Sequence, residues 1–279
     1  RGYALFIMNS DVSVEHEDEL IRLLVNRGVD GLFLVTAHEL DADEQLVDSL
    51  SSLPVPLVMV DRFIEGVQCD RVRFNSELGG YLATSCLLEH GHRAIACLVN
   101  TSSRGRLRGY RRALREHGIE PDERLVFESD YYIPDGARAA EGVLATDATG
   151  IFASSDNIAL GALKCLYAHD KRVPRDYSLV SYDNSATDAL FEPALTAIEQ
   201  NVSELAEHAL EVLLDRVERG VTPAAADDGR ARLIRRDSAT GEAAAGAAHE
   251  GYDRCFEDRV LDPRLVVQAS VAEANGSDN

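Results

Sequence analysis

The chain has 279 residues and a formal net charge of −20, from 28 Lys and Arg against 48 Asp and Glu. A chain this acidic repels phosphate backbones and anionic lipid head groups at long range, so we do not expect it to grip DNA or a membrane by itself. Apolar residues make up 45% of the sequence, enough for a sizeable core. No apolar run approaches the roughly 18 residues that a membrane-spanning helix needs.

The five cysteines do not form a recognisable framework. Their number is odd and no two are spaced as CxxC, so neither a set of disulfides nor a structural zinc site is expected. Cys86, Cys97 and Cys165 lie in apolar stretches, which is typical of small core residues. We therefore expect no metal and no cofactor, and a chain that works in the reducing cytoplasm.

Short apolar runs typical of strands alternate with helical patterns as far as about residue 220. The runs are continuous, which indicates strands buried on both faces, as in parallel sheets. This alternation predicts an α/β fold with doubly wound parallel sheets. The expected strands are residues 4–8, 32–36, 57–60, 94–99, 125–128, 150–153, 178–182 and 195–198. The expected helices are residues 14–27, 76–90, 156–169 and 203–219, with one more carrying Leu107, Tyr110 and Leu114.

Enzyme signatures are scarce in this sequence. It contains no GxSxG, Walker A, HExxH or GxGxxG motif, and its histidines are scattered. No nucleophile and base are spaced in a way that suggests catalysis, so we expect a binding protein and not an enzyme.

Six arginines between residues 104 and 115 stand out against the acidic background. They fall on one predicted amphipathic helix, where we expect most of them to be solvated or paired with acids. Arg106 is the exception, because the start of that helix lies at the carboxyl edge of the sheet, where open α/β sheets bind ligands. A guanidinium there can hold vicinal hydroxyls, a carboxylate or a phosphate.

Five ordered stretches of the sequence resemble the LacI/GalR family of bacterial transcriptional regulators. They are GHRAIA at 91–96, RLRGYRRAL at 106–114, IFASSDNIALGAL at 151–163, VPRDYSLVSYDN at 173–184 and PALTAI at 193–198. The resemblance implies an effector-binding core shaped like a periplasmic sugar-binding protein. In such a core a small polar ligand, a sugar or sugar derivative, lies between two α/β lobes joined by three chain crossings.

The resemblance also implies partners. The core would form a homodimer through its first lobe, and would reach operator DNA only through an N-terminal helix-turn-helix head. That head has no counterpart in this sequence, and neither has the first βα unit of the family's first lobe, so we expect that lobe to be incomplete. The alternative is an extracytoplasmic sugar-binding protein of a transporter, which would have the same fold.

The resemblance places the first lobe at residues 1–99 and 200–221, and the second lobe at residues 100–199 and 222–239. Residues 240–279 would form an acidic, Ala/Gly-rich extension. Two tail segments compete as the strand that closes the second lobe. Residues 230–238 fit the family's spacing and residues 262–270 fit its sequence equally well; we favour the first segment.

Eight side chains match effector-contacting positions of the family. Arg106 would clamp the effector, Asp183 would accept its hydrogen bonds, and Tyr131 would stack on a ring. Such polar pairs with an aromatic face suit a sugar, although each residue has a helix-capping or packing role as its alternative. The eight residues are Arg106, Asp183, Asn75, Tyr131, Ser155, Asp61, Arg62 and His38.

Overall fold

The structure is a computed structural model of the chain. It describes residues 2–38, 43–100, 103–185, 192–220, 233–237 and 256–274. The chain divides into two compact units, the first formed by Arg1–Phe74 and Val202–Leu261, the second by Asn75–Asn201 and Asp262–Asn279. No helix within the described ranges has both the length and the hydrophobicity that crossing a bilayer requires.

Helices and strands alternate along most of the chain. The helices are α1 (Val14–Asn26), α2 (Glu44–Ser51), α3 (Ser76–Glu89), α4 (Arg104–Glu116), α5 (Ile133–Val143), α6 (Asp156–Ala168) and α7 (Val202–Arg219). The strands are β1 (Leu32–Leu34), β2 (Leu57–Val60), β3 (Asp70–Phe74), β4 (Ile95–Val99), β5 (Val126–Glu128), β6 (Gly150–Ala153), β7 (Ser178–Asp183), β8 (Thr196–Glu199), β9 (Leu233–Asp237), β10 (Phe256–Leu261) and β11 (Arg264–Val266).

The first unit is built on a parallel sheet in the order β1-β2-β3-β10-β9. Strand β2 shows why its sequence is continuously apolar. Leu57 and Met59 belong to the core beneath α1 and α2, whereas Val58 belongs to the core beneath α7. Both faces of the strand are therefore covered by helices, and Leu57, Val58 and Met59 are fully buried.

The second unit is built on a sheet in the order β11-β8-β7-β6-β4-β5, parallel except for the antiparallel pair β11–β8. Helices α3 and α4 cover one face, where Tyr110 and Val180 are buried. Helices α5 and α6 cover the other face, where Ile158 and Leu179 are buried. The predicted α/β fold with parallel sheets is confirmed, and Cys86, Cys97 and Cys165 are buried as predicted.

One strand prediction was wrong, and two strands were missed. Residues 4–8 pair with no described strand, and Leu5, Phe6 and Ile7 are exposed there. Strands β3 and β10 were not predicted, because their charged residues interrupt the apolar pattern. Those charges are paired across the sheet: the Arg73 guanidinium donates to both carboxylate oxygens of Asp258, at 2.9 and 2.8 Å.

The favoured closing strand was wrong. Strand β9, inside the favoured segment, lies in the sheet of the first unit beside β10. The second sheet is closed by β11, which pairs with β8, and by Ser270, whose hydroxyl donates to the Leu179 carbonyl. The two segments have similar sequences, and pairing partners far along the chain decide between them.

The unit boundaries also differ from those expected. Strand β4 pairs with β5 and β6, so the first crossing follows Phe74 and does not lie near residues 99–100. The other boundaries follow Asn201 and Leu261. The expected boundary between residues 221 and 222 and most of the expected extension at residues 240–279 lie outside the described residues.

Candidate functional site

The carboxyl edge of the second sheet brings Arg106 and Asp183 together. Arg106 lies in the first turn of α4 and is only 9% exposed. Its Nη2 lies 3.6 Å from Asp183 Oδ1, and its Nη1 donates to the Ser154 carbonyl. Its guanidinium carbon lies 3.7 Å from the centre of the Tyr182 ring. A carboxylate, a carbonyl and an aromatic face thus fix the direction of the guanidinium.

Asp183 is the more accessible partner, since its side chain is 38% exposed. The separation of 3.6 Å between the two charged groups is longer than a hydrogen bond. Hydroxyl groups of a ligand can therefore approach the carboxylate oxygens, while the guanidinium supplies donors beside them. This arrangement can bind a polyol or another small polar molecule.

Glycines in α3 allow this packing. A Cβ on Gly79 would lie 2.2 Å from the Tyr182 hydroxyl oxygen, and a Cβ on Gly80 would lie 2.0 Å from the Arg106 carbonyl oxygen. Both distances are far below van der Waals contact. Helix α3 can approach α4 and the Tyr182 ring only because these two positions carry no side chain.

The turn that follows β7 is held by a residue that the sequence analysis missed. Asp183 and Asn184 both have positive φ angles, of 90° and 52°. The buried Asp156 carboxylate accepts a hydrogen bond from the Ser181 hydroxyl at 2.7 Å and another from the Ser185 amide at 2.8 Å. The sequence did contain one signal for Asp156: it is an acidic residue at the first position of α6, directly after Ser155, the residue that caps this helix.

Two predicted site residues cap helices. Asn75 Oδ1 accepts from the Leu78 amide at 3.2 Å, and its Nδ2 donates to Asp262 at 3.0 Å. Ser155 is buried, and its hydroxyl accepts from the Ile158 amide at 3.3 Å. These contacts are the alternative, capping roles of both residues. A ligand contact from either residue stays a prediction.

The aromatic candidate lies near the start of α4. The Tyr131 side chain is exposed, and its hydroxyl lies 3.0 Å from the hydroxyl of Ser103, the residue that precedes α4. The ring is therefore tied to the residue three positions before Arg106. Stacking of this ring on a ligand stays a prediction.

The remaining candidates follow strands β1 and β2 of the first unit. Asp61 and Arg62 come directly after β2, and Arg62 Nη2 donates to the carbonyl of His38 at 3.2 Å. His38 Nε2 is buried and has no hydrogen-bond partner among the described residues. It lies 3.8 Å from carboxylate oxygens of Glu17 and Asp18.

Glu17 is the second residue that the sequence analysis missed. It is buried in the first turn of α1. Its carboxylate accepts from the Thr36 hydroxyl at 2.7 Å and from the Ala37 amide at 2.5 Å. The segment after β1, which includes His38, is thereby fixed to α1.

Three other arginines of α4 are paired with acids, as predicted for most of them. Arg111 lies 2.7 Å from Glu123, Arg112 lies 2.8 Å from Glu116, and Arg108 lies 3.1 Å from Glu77. Within the ranges that the structure describes, no group of three or more His, Cys, Asp and Glu side chains is placed to hold a metal ion.

Comparison with known proteins agrees with the fold. A family profile described as periplasmic binding protein-like domain matches residues 84–239, more than half of the chain. The HTH-type transcriptional repressor PurR of Vibrio atlanticus is 34% identical over 224 residues, which cover 78% of this chain and 66% of the repressor.

Two solved structures of transcriptional regulators share both the fold and more than a quarter of the aligned residues with this chain. The transcriptional regulator CelR, solved in complex with cellobiose, is 29% identical in sequence, with a TM-score of 0.73. The match covers 92% of this chain and 71% of the CelR chain. A LacI family regulator from Enterococcus faecium, solved with bound ribose, is 26% identical in sequence, with a TM-score of 0.73. The match covers 97% of this chain and 88% of the regulator.

The fold and these relatives define a periplasmic binding protein-like domain, and the chain belongs to that family. Within it, the chain corresponds to the effector-binding core of LacI/GalR-type regulators, so the resemblance found in the sequence is confirmed. The chain spans 66% of the length of the curated repressor that it matches.

Proposed function

We propose that this chain is the sensing core of a LacI/GalR-type repressor, and that its second unit binds a small polar effector at Arg106 and Asp183. The observation that carries the proposal is the buried Arg106 guanidinium, fixed on the Tyr182 ring and beside the exposed Asp183 carboxylate. Sugars present vicinal hydroxyls that both donate and accept, and a fork of donors next to a carboxylate satisfies both needs.

Comparison with solved relatives favours a sugar or a related metabolite as the effector of this chain. Two solved relatives hold cellobiose and ribose. The named relatives are regulators, which favours sensing over delivery to a transporter. The expectation that the ligand also contacts Asp61, Arg62 and His38 stays a prediction, as does the ring contact of Tyr131.

The proposed core acts without chemistry. A ligand that binds one conformation more tightly than another shifts the population towards it, and this shift is the signal. In the complete regulator we propose that a homodimer in the cytoplasm passes the signal to operator DNA through helix-turn-helix heads outside the present sequence.

The test begins with a thermal-shift screen of sugars, sugar phosphates, nucleosides and purines, because a ligand that binds only the folded state raises the melting temperature. The affinity of the best compound is then measured by calorimetry for Arg106→Ala and Asp183→Asn. Loss of a charged hydrogen-bond partner is expected to weaken binding by about 10- to 100-fold.

Arg112→Ala is the matched control for this experiment. Arg112 lies on the same helix, is paired with Glu116 on the solvated face, and should leave the affinity unchanged. Arg106→Lys keeps the charge but loses the planar fork, so it should bind more weakly than the wild type while still folding. Equal affinity of wild type and Arg106→Ala for the best compound would refute the assignment.

A further inference from the structure

The two units contain the same small arrangement at the carboxyl edge of their sheets. In the second unit, Asp156 opens α6 and its carboxylate receives two donors from the next strand and its turn. One donor is the Ser181 hydroxyl in β7, and the other is the Ser185 amide just beyond it. The helix and the strand are consecutive elements of the chain.

The first unit repeats this arrangement with a longer carboxylate. Glu17 lies in the first turn of α1, and β1 is the next element. The Thr36 hydroxyl donates to Glu17 Oε1 and the Ala37 amide donates to Oε2. In both units a buried carboxylate therefore receives one hydroxyl and one backbone amide from the last residues of the following strand or the residues just after it.

Burial makes these hydrogen bonds specific. A carboxylate that loses its contact with water must find donors within the protein, and leaving one unpaired costs more than the bond itself contributes. Each carboxylate offers two oxygens, and each oxygen has a different donor. The carboxylate thus fixes both the end of the strand and the first residues after it.

In the second unit the fixed segment is the one that carries Asp183. The two donors, Ser181 and Ser185, lie two residues before and two residues after it. Between them the backbone passes through positive φ at Asp183 and Asn184, a conformation that persists only when its surroundings impose it. In the first unit the fixed segment leads to His38, whose amide donates to the Thr36 hydroxyl oxygen at 3.1 Å.

We propose that Asp156 and Glu17 are matched positioning residues. Asp156 holds segment 183–185, which carries Asp183, in the conformation that the effector meets, and Glu17 holds segment 36–38 of the first unit in the same manner. Neither carboxylate needs to touch the effector. Their role is to preorganise these segments before the ligand binds, so that less of the binding free energy is lost in ordering them. This inference rests on the proposed function for its consequence in binding.

The positioning role is tested first without ligand, by hydrogen–deuterium exchange. Asp156→Ala removes both acceptors, and the amides of residues 183–185 should exchange about tenfold faster or more, whereas the amides of β4 and β6 keep their rates. Asp156→Asn should restore slow exchange, because its Oδ1 accepts from the Ser185 amide while its Nδ2 donates to the Ser181 oxygen. Ser181→Ala removes one bond alone and gives a milder variant should Asp156→Ala fold poorly.

Glu17→Ala and Glu17→Gln form the same pair of variants in the first unit, with residues 36–38 as the reporter segment. Tyr110→Phe is the matched control in the second unit. It removes a buried hydrogen bond, from the Tyr110 hydroxyl to the Ile95 carbonyl at 2.8 Å, away from the turn after β7. It should lower the melting temperature without accelerating exchange at residues 183–185.

The second measurement is the affinity for ribose, for cellobiose and for the best compound of the thermal-shift screen. Asp156→Ala should weaken binding about tenfold or more, Asp156→Asn should recover most of the affinity, and Tyr110→Phe should bind as the wild type does. Unchanged exchange at residues 183–185 in Asp156→Ala would overturn the positioning role. Faster exchange with unchanged affinity would overturn its part in recognition. A wild type that binds none of the compounds would instead refute the proposed function, while the exchange result still decides the positioning role.

Discussion

At the scale of the residue, His92 shows how burial changes the chemistry of one side chain. Its Nε2 donates to the Ala272 carbonyl at 3.0 Å, so its Nδ1 accepts from the Thr149 hydroxyl at 2.8 Å. Burial lowers the pKa of His92 below its ordinary value of 6.5, and nearby His90 lowers it further. The hydrogen bond to Ala272 and the charge of Glu273 act in the opposite direction without cancelling the effect of burial.

This lowered pKa gives the fold a pH dependence below neutrality. As the pH falls below 6.5, the unfolded chain binds a proton that the folded His92 resists, so the free energy of unfolding decreases. We expect the melting temperature to drop between pH 7.5 and 5.5, and to drop less in His92→Gln. Calorimetry of both proteins at the two pH values measures the difference. An equal drop in His92→Gln and wild type would contradict the assignment.

At the scale of the element, a buried ion pair joins α7 to the first sheet. The Arg216 guanidinium donates to both oxygens of Asp70, at 3.0 and 2.9 Å, and the Glu257 amide donates to one of them at 2.7 Å. Both charged side chains are at least 95% buried. One carboxylate on β3 therefore organises a helix and the neighbouring strand β10.

Removing Arg216 should be costly because it leaves the Asp70 carboxylate buried without its counter-charge. We expect Arg216→Ala to lower the free energy of unfolding by about 3 to 5 kcal/mol, measured by urea denaturation. Arg219→Ala is the control on the same helix, since the Arg219–Asp215 pair is exposed and should be worth less than about 1 kcal/mol. Equal losses in the two variants would show that burial does not set the cost.

The elements also show where sequence reasoning succeeded. Strands β2 and β6 have the bounds that their apolar runs predicted, because both faces of each strand are covered and all their residues except the half-buried Val60 are buried. Strands β3 and β10 escaped detection for the opposite reason. Their charged residues are satisfied by partners on other elements, such as Arg73 on β3 and Asp258 on β10, and no local pattern reveals such a pairing.

At the scale of the whole molecule, the C-terminal segment completes the second unit. Strand β11 forms the edge of the second sheet, and Ser270 makes three hydrogen bonds with the strands beside it. Its hydroxyl donates to the Leu179 carbonyl and accepts from the Thr196 amide, and its carbonyl accepts from the Leu179 amide. The second unit thus depends on residues that lie more than 60 positions after its other strands.

Truncation measures that dependence. A chain ending at Leu261 should lose about 3 kcal/mol or more from the second unit, at about 1 kcal/mol for each of these buried hydrogen bonds. The loss of stability would be measured as a lower transition temperature of the second unit in calorimetry, or as a larger unfolded fraction at a given urea concentration. A chain ending at Ala274 retains all three hydrogen bonds and serves as the control. Equal stability of the two truncated chains would contradict the role given to this segment.

The sequence by itself predicted the fold class and the family, and it singled out Arg106 and Asp183, whose side chains the structure brings together. Hydrophobic periodicity, helix capping and sequence motifs are local properties, because each depends on a few neighbouring residues. Only the tertiary structure decided that β11 and not β9 closes the second sheet, that Asn75 and Ser155 cap helices, and that the Asp156 and Glu17 carboxylates accept hydrogen bonds from residues of β7 and β1 or just after them. These outcomes depend on which distant residues meet and on what burial does to their charges, and a reading of neighbours along the chain does not contain that information.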